Sequence, residues 1–424
     1  RGEHSEILSF VGQSVDSELS GNMIDLCPVG ALTSKPFRYE ARTWELARRK
    51  TVSPHDALGA NQIVQTKAGR VLRVVPLENE AVNECWLSDR DRFAYEGLAA
   101  ADRLTRPLLK QDGQWHEVDW PVALDYVAHA LADVKSRHGA TAIAAAAGPT
   151  STVEELALLG NLVRGLGSDN VDFRLRQSDF SADGQRAGIP WLGLPVAETE
   201  QLDRIFLVGA FLRKDQPLLA SRVRQAVKRG AQVSVLHAAD DDLLMPLAAK
   251  AIVAPDAWVA VLAQVASAVA ELKQLAAPVP GLAVGAEARR IAQSLASGHQ
   301  VALWLGNSAV QHPQASQIAA WVQWIAQALG ARHGVLGEAA SSVGGHVAGA
   351  VPQAGGLNAR AMFEQPRSAY LLWNLEPEYD CANPAQALKA LGEAATVIAC
   401  TPYRNGALEY ADAILPIAPY TETG

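Results

Sequence analysis

The sequence predicts an α/β protein with a parallel sheet flanked by crossover helices, preceded by a small β-rich domain. Three observations carry this. From about Leu104 onward, short apolar runs alternate with stretches of helical spacing, the pattern of strand–helix–strand units. One motif recurs three times: "IFLVGAFLRKDQP" (205–217), "ALWLGNSAVQHP" (302–313) and "YLLWNLEPEYDCANP" (370–384). Each runs from an apolar strand through a Gly or Asn turn and a short polar loop to a proline that opens a helix, where its missing N–H would be unpaired in any case. Upstream, polar and apolar residues alternate at the period of a strand rather than a helix.

In chain order, residues 1–44 are short and irregular, punctuated by Gly21, Pro28, Gly30 and Pro36. "ARTWELARRK" (41–50) reads as a polar, basic junction. Gln62–Thr66 and Val71–Val75 are β-rich runs on either side of Lys67–Arg70, with Gly69 in the turn, and predict a hairpin. A helix follows from Asp119 and Pro121, with Val122, Tyr126, Val127, Leu131 and Val134 on one face and Gly139 at its end. "TAIAAAA" (141–147) is a short buried strand that turns through Gly148–Ser151 into a helix from about Thr152. The strand "RIFLVGA", a helix over Pro217–Lys228 and the strand "AQVSVLHA" continue the alternation. Residues 238–256 and 331–358 read as loops. The organisation is therefore 1–44, a β-rich domain over 45–102, and an α/β domain over 103–424.

Composition removes several classes. Apolar residues make up 49% and charged residues 19% of 424, which allows a large core. A net charge of −8 argues against a nucleic-acid partner. The most apolar long stretch, Ala257–Ala277, is broken by Gln264, Ser267, Glu271, Lys273 and Gln274, so it predicts a buried or amphipathic helix and no direct membrane insertion. Cys27, Cys85, Cys381 and Cys400 are too widely spaced for a disulfide framework and fit a reducing compartment.

The stretch "DLCPVGALTSK" (25–35) is the strongest chemical signal. A cysteine followed by proline and a small-residue turn is how a cluster-binding run of a ferredoxin ends. Pro28 fixes φ, Gly30 lets the backbone approach an inorganic centre, and a thiolate suits iron–sulfur chemistry. A packed, apolar role for the thiol is the alternative. Asp240–Asp242 could hold a hard cation or form a solvated, capping loop. The ten histidines, His55, His237, His312 and His346 among them, show no zinc spacing, and no Gly-x-Gly-x-x-Gly dinucleotide fingerprint occurs.

"SELSGNMIDLCPVGALTSKPFRYEARTWEL" (17–46), "RGEHSEI" (1–7) and "VNECWLSDRDRFAYEGL" (82–98) resemble the large iron–sulfur subunit of respiratory NADH:quinone oxidoreductase, complex I. That resemblance implies that 1–44 is the C-terminal part of a ferredoxin-like domain, with Cys27 the fourth ligand of a [4Fe–4S] cluster. The other three ligands, a Cys-x2-Cys-x2-Cys run, and further [4Fe–4S] and [2Fe–2S] clusters would lie upstream of Arg1, and the family continues beyond "PIAPYTETG". The backbone N–H groups of Val29–Leu32 are candidates to hydrogen-bond cluster sulfurs. In relatives with an extra cluster, a Cys-x2-Cys-x3-Cys run follows the basic junction and a fourth cysteine precedes Asp-Arg. The corresponding stretches are "TVSPHDALGANQIV" and "WLSDRDRF", with Ser88 at the fourth position and Cys85 three residues off, so no cluster is expected there.

The α/β region resembles the molybdopterin oxidoreductase fold. No cysteine occurs between Leu104 and Asp380, so no molybdopterin is expected, and Asn307 and His312 of "GNSAVQHP" read as turn-formers. The resemblance implies no catalytic residue in the chain, electron relay from NADH toward quinone, and partners among the peripheral-arm subunits: the NADH-binding flavoprotein and neighbouring iron–sulfur proteins. It also implies the cytoplasmic face of a bacterial inner membrane. A catalytic molybdenum or tungsten bis-pterin enzyme of the formate dehydrogenase type is the alternative, and a docking scaffold without activity is the third reading.

Overall fold

The computed structural model describes residues 14–185, 188–353 and 355–423. The "RGEHSEI" stretch lies outside them. A short helix α1 (Asn22–Leu26) leads into Cys27. Three strands follow, β1 (Ala47–Val52), β2 (Asn61–Lys67) and β3 (Arg70–Pro76), forming an antiparallel sheet in that order. The β2–β3 hairpin is the one the alternation predicts. Strand β1 corrects the reading of 41–50 as a junction: its side chains are nearly all exposed, including Arg48, Arg49 and Lys50, so it carries no burial signal. A charged sheet edge of this kind resists strand pairing with other molecules. Helix α2 (Asp89–Phe93) closes the small domain over a core of Val64, Val74, Leu87 and Tyr95.

The rest of the chain builds two α/β layers. Strands β4 (Leu108–Gln111) and β5 (Gln114–Glu117) precede α3 (Trp120–His138), β6 (Ile143–Ala147), α4 (Val153–Leu166) and β7 (Val171–Asp172). Next come β8 (Arg204–Val208), α5 (Leu212–Asp215), α6 (Pro217–Lys228), β9 (Gln232–His237), β10 (Ala249–Ile252), α7 (Trp258–Lys273) and α8 (Ala286–Ala296). Strand β11 (Val301–Leu305), α9 (Asn307–Val310), α10 (Ala315–Leu329), β12 (Arg332–Val335), α11 (Ser341–Val347) and α12 (Ala359–Glu364) follow. The chain ends in β13 (Ala369–Trp373), α13 (Pro377–Asp380), α14 (Pro384–Gly392), β14 (Thr396–Cys400), α15 (Ala407–Tyr410) and β15 (Ala413–Leu415).

One sheet is parallel, in the order β10-β9-β8-β11-β12. Strand period sorts its side chains: Phe206 and Val208 face α7, α8 and α10, while Ile205 and Leu207 face α6. The second sheet runs β5-β4-β15-β14-β13-β6-β7, parallel except for β4 and β5 at one edge. Ile143, Ala145 and Ala147 of β6 face α3 and α4, and Ala144 and Ala146 face α12 and α14. Both faces are covered, which is why these strands read as continuous apolar runs. The two supposed loops carry structure: β10 lies in 238–256, and β12 and α11 lie in 331–358. β12 is short and exposes Arg332 and His333, and α11 has two glycines among its seven residues, so neither shows periodicity.

Candidate functional site

Cys27 caps the C-terminus of α1, its N–H donating to Met23 O at 3.1 Å. The chain then reverses through Gly30, at φ +68, where an L side chain is strained. The reversal brings the Leu32 N–H to 3.4 Å from Cys27 Sγ. Hydrogen bonds from the Leu32 and Val29 amides hold the thiol below its ordinary pKa, against the opposing effect of burial. A backbone nest that favours thiolate is a ligand environment. The other cysteines differ. Burial pushes Cys381 and Cys400 up to about 12, and Cys85 is exposed, with partial burial and the carboxylates of Glu84, Glu80 and Glu78 raising it.

Helix α1 is clamped to α2. Asn22 Nδ2 donates to Leu87 O at 2.7 Å, and Leu87 N–H donates back to Asn22 Oδ1 at 3.0 Å. Buried Arg92 reaches Asp25 at 2.5 Å. Asp89 accepts from Ser20 Oγ at 2.5 Å and from Gly21 N–H at 2.7 Å. An added Cβ on Gly21 would stand 2.7 Å from Arg92 Cδ, so the two helices meet through a residue without a side chain. This clamp was not foreseen from sequence. The Ser-x-x-Asp spacing at 88–91 is a helix-start signal that could have placed α2.

Ser88 is the N-cap of α2 and accepts from the Asp91 N–H at 3.1 Å. Its hydroxyl donates to Asp91 Oδ2 at 2.9 Å. Asp91 Oδ1 accepts from Ser53 Oγ at 2.6 Å and lies 2.6 Å from His55 Nδ1. Asp56 is buried beside them, its carboxyl pushed up to about 7 by burial and by the charge of Asp91. No thiol belongs to this group, and among the described residues no three His, Cys, Asp or Glu side chains are placed to hold a metal ion. The donor set does not fit an iron–sulfur cluster.

A cavity of about 300 Å³ lies at the strand ends of the two large sheets, lined among others by Arg174, Arg176, Asn307, Gln311, Glu338 and His346. That volume lies at the lower end of the roughly 300–1,000 Å³ of a pocket for a drug-sized ligand. Its arginines are already engaged, Arg174 with Asp172 at 2.9 Å and Asp183 at 2.8 Å, and Arg176 with Asp380 at 2.9 Å. No cysteine lines it. In sheets of this kind ligands bind where strand order reverses. At both such points the loops are pressed together: a Cβ on Gly306 would stand 2.3 Å from Ala210 Cα, and one on Gly148 would stand 2.1 Å from Asn374 O. The residues do not fit a metal-bearing bis-pterin cofactor.

The remaining sequence candidates are structural. His312 stacks on Trp258 at 5.6 Å and accepts from the Gln314 N–H at 2.9 Å. Asn307 opens α9. Asp240 pairs with Lys250 at 2.5 Å, and Asp242 accepts from the Leu244 N–H at 2.8 Å, which makes 240–242 a capped loop.

Three family profiles match the chain. Residues 1–33 match "NADH-quinone oxidoreductase subunit 3, ferredoxin-like domain". Residues 46–96 match "NADH-ubiquinone oxidoreductase NDSU1/NuoG-like, 4Fe-4S domain". Residues 103–424 match "Molybdopterin oxidoreductase". A subunit of the NADH-quinone oxidoreductase of Rickettsia felis is 41% identical over 231 residues, covering 54% of this chain and 33% of the relative. The NADH-ubiquinone oxidoreductase 75 kDa subunit of Reclinomonas americana is 35% identical over 243 residues, covering 54% and 34%. The chain thus spans about a third of the length of these relatives. Acetylene hydratase from Pelobacter acetylenicus has the same fold, with a TM-score of 0.69 at 14% identity over 88% of this chain and 64% of that one. Over residues 103–424 the chain belongs to the molybdopterin oxidoreductase family, and it is a relative of the 75 kDa subunit of NADH-ubiquinone oxidoreductase and its bacterial counterparts.

Proposed function

We propose that this chain is part of the iron–sulfur electron-transfer subunit of an NADH:quinone oxidoreductase, relaying electrons from NADH toward quinone. One observation carries the reading. Cys27 lies in the region that matches a ferredoxin-like domain, at the end of α1, with backbone amides holding its sulfur toward thiolate. In this reading Cys27 is the fourth ligand of a [4Fe–4S] cluster, and the other three thiolates come from outside the 424 residues; of the remaining cysteines, Cys381 and Cys400 are buried and Cys85 stands alone at the surface. When bound, the cluster supplies one-electron chemistry, with a potential tuned by hydrogen bonds to sulfur and by burial. The chain's own residues orient the ligand: Pro28 and Gly30 shape the turn, the Val29–Leu32 amides face the sulfur, and the α1–α2 clamp fixes the helix that carries it.

The α/β mass serves as a scaffold that docks the NADH-binding flavoprotein subunit and neighbouring iron–sulfur subunits. The assembly sits at the cytoplasmic face of a bacterial inner membrane and reaches it through other subunits. No helix among the described residues is long and apolar enough to cross a membrane. The [2Fe–2S] cluster and the other [4Fe–4S] clusters belong to the parts of the subunit beyond these residues. The test is Cys27→Ala in the assembled complex: NADH-to-quinone turnover should fall at least tenfold, with loss of about four iron per complex. Unchanged turnover and iron content would refute the assignment.

A further inference from the structure

We propose that the small β domain, although it matches a [4Fe–4S] domain, is closed by the Asp91 carboxylate in the place of a metal cluster. The segments that such a cluster would bridge are the loop between β1 and β2 and the start of α2. The spacing Cys-x2-Cys-x3-Cys falls on Ser53, Asp56 and Ala60, and the fourth position on Ser88. All four are buried, at 1%, 3%, 0% and 4% exposure. Positions that would hold thiolates therefore still point inward, but they carry short side chains without sulfur.

Asp91 stands among them and does the bridging. Its carboxylate is fully enclosed and joins Ser53 and His55 of the loop to Ser88 of the helix, at 2.6, 2.6 and 2.9 Å. Arg90 adds a bond from its guanidinium to His55 O at 3.2 Å, and Ser53 N–H closes the loop on Ala60 O at 2.9 Å. Asp56 fills the remaining space, with its carboxyl oxygen accepting from the Leu58 N–H at 3.0 Å. A buried carboxylate that collects several donors is worth more than the same bonds at a surface, and leaving it unpaired is costly.

The network also ties the small domain to the rest of the molecule. Pro54 O accepts from the Ala340 N–H at 3.2 Å, and His55 packs edge-on against Tyr420 at 5.4 Å. Loss of the network should therefore loosen the loop where it meets the large domain, whether or not Cys27 binds anything.

Hydrogen exchange on the full chain tests this. In the unaltered protein, protection of residues 53–60 should be the same within about twofold after metal stripping and after anaerobic treatment with ferrous iron and sulfide. In Asp91→Asn, exchange of 53–60 and of 88–92 should rise about tenfold or more, with the strands of the two large sheets unchanged. Should Asp91→Asn unfold globally, Ser53→Ala and Ser88→Ala each remove one bond to the carboxylate and should give smaller local increases. Protection that depends on iron and sulfide, or exchange that these substitutions leave unchanged, overturns the proposal.

Discussion

At residue scale, two titratable groups have opposite environments. The Cys27 sulfur is surrounded by amide donors that favour its charged form. Asp56 is enclosed with Asp91 and held near its neutral form, at about 7 against an ordinary 3.8. Its folded state therefore binds the proton more tightly than its unfolded state. The contribution is fully present below about pH 4 and is lost as pH rises to about 7. Asp56→Asn keeps an acceptor for the Leu58 N–H without the charge. It should flatten this slope and be the more stable form above pH 7, by at most roughly 4 kcal/mol. Denaturation midpoints of both proteins at pH 5 and pH 8 check it, and parallel pH profiles would contradict it. The turn that follows Cys27 was legible because Cys-Pro and Gly30 are chemical punctuation. Asp91 was not, because a charged residue in "SDRDRF" looks like solvated surface until the hairpin loop is folded over it.

At element scale, the triple motif was legible as strands each followed by a helix, and its middle was not; proline opens α6 and α14, whereas α10 starts at Ala315, two residues past Pro313. Each supposed polar loop is a one-turn helix: α5, α9 and α13. A single turn has too few residues to show periodicity and is fixed by what it packs against. The turns before these helices depend on close backbone approach. Gly306→Ala forces a Cβ into Ala210 Cα at 2.3 Å and Gly209 O at 2.5 Å, and should cost about 1–3 kcal/mol or more. Gly165 in α4 has nothing within 4 Å of its Cβ position, and Gly165→Ala should stabilise by about 1 kcal/mol. Thermal unfolding of both variants checks the pair, and shifts of the same sign would contradict the packing described for the first turn. Strands β10 and β12, four residues each, and β1, whose side chains are nearly all exposed, lie at sheet edges, where alternation is blurred.

At the scale of the whole molecule, the sequence indicates parallel α/β architecture but not its division into two sheets. The three copies of the motif fall on β8 and β11 of one sheet and β13 of the other, a partition that depends on long-range pairing and leaves no local trace. The cavity between the sheets is small, its arginines are paired internally, and the strand-reversal points are closed by Gly148 and Gly306. Elemental analysis of the purified complex should accordingly give no molybdenum or tungsten assignable to this subunit, and a stoichiometric metal would revive the catalytic pterin reading. The central claim concerns Cys27, and EPR-monitored redox titration of the full-length subunit in its complex tests it most directly. Cys27→Ser should abolish one [4Fe–4S] signal, or shift its g values and potential, and leave every other signal in place. A set of spectra identical to those of the unaltered complex would contradict the account.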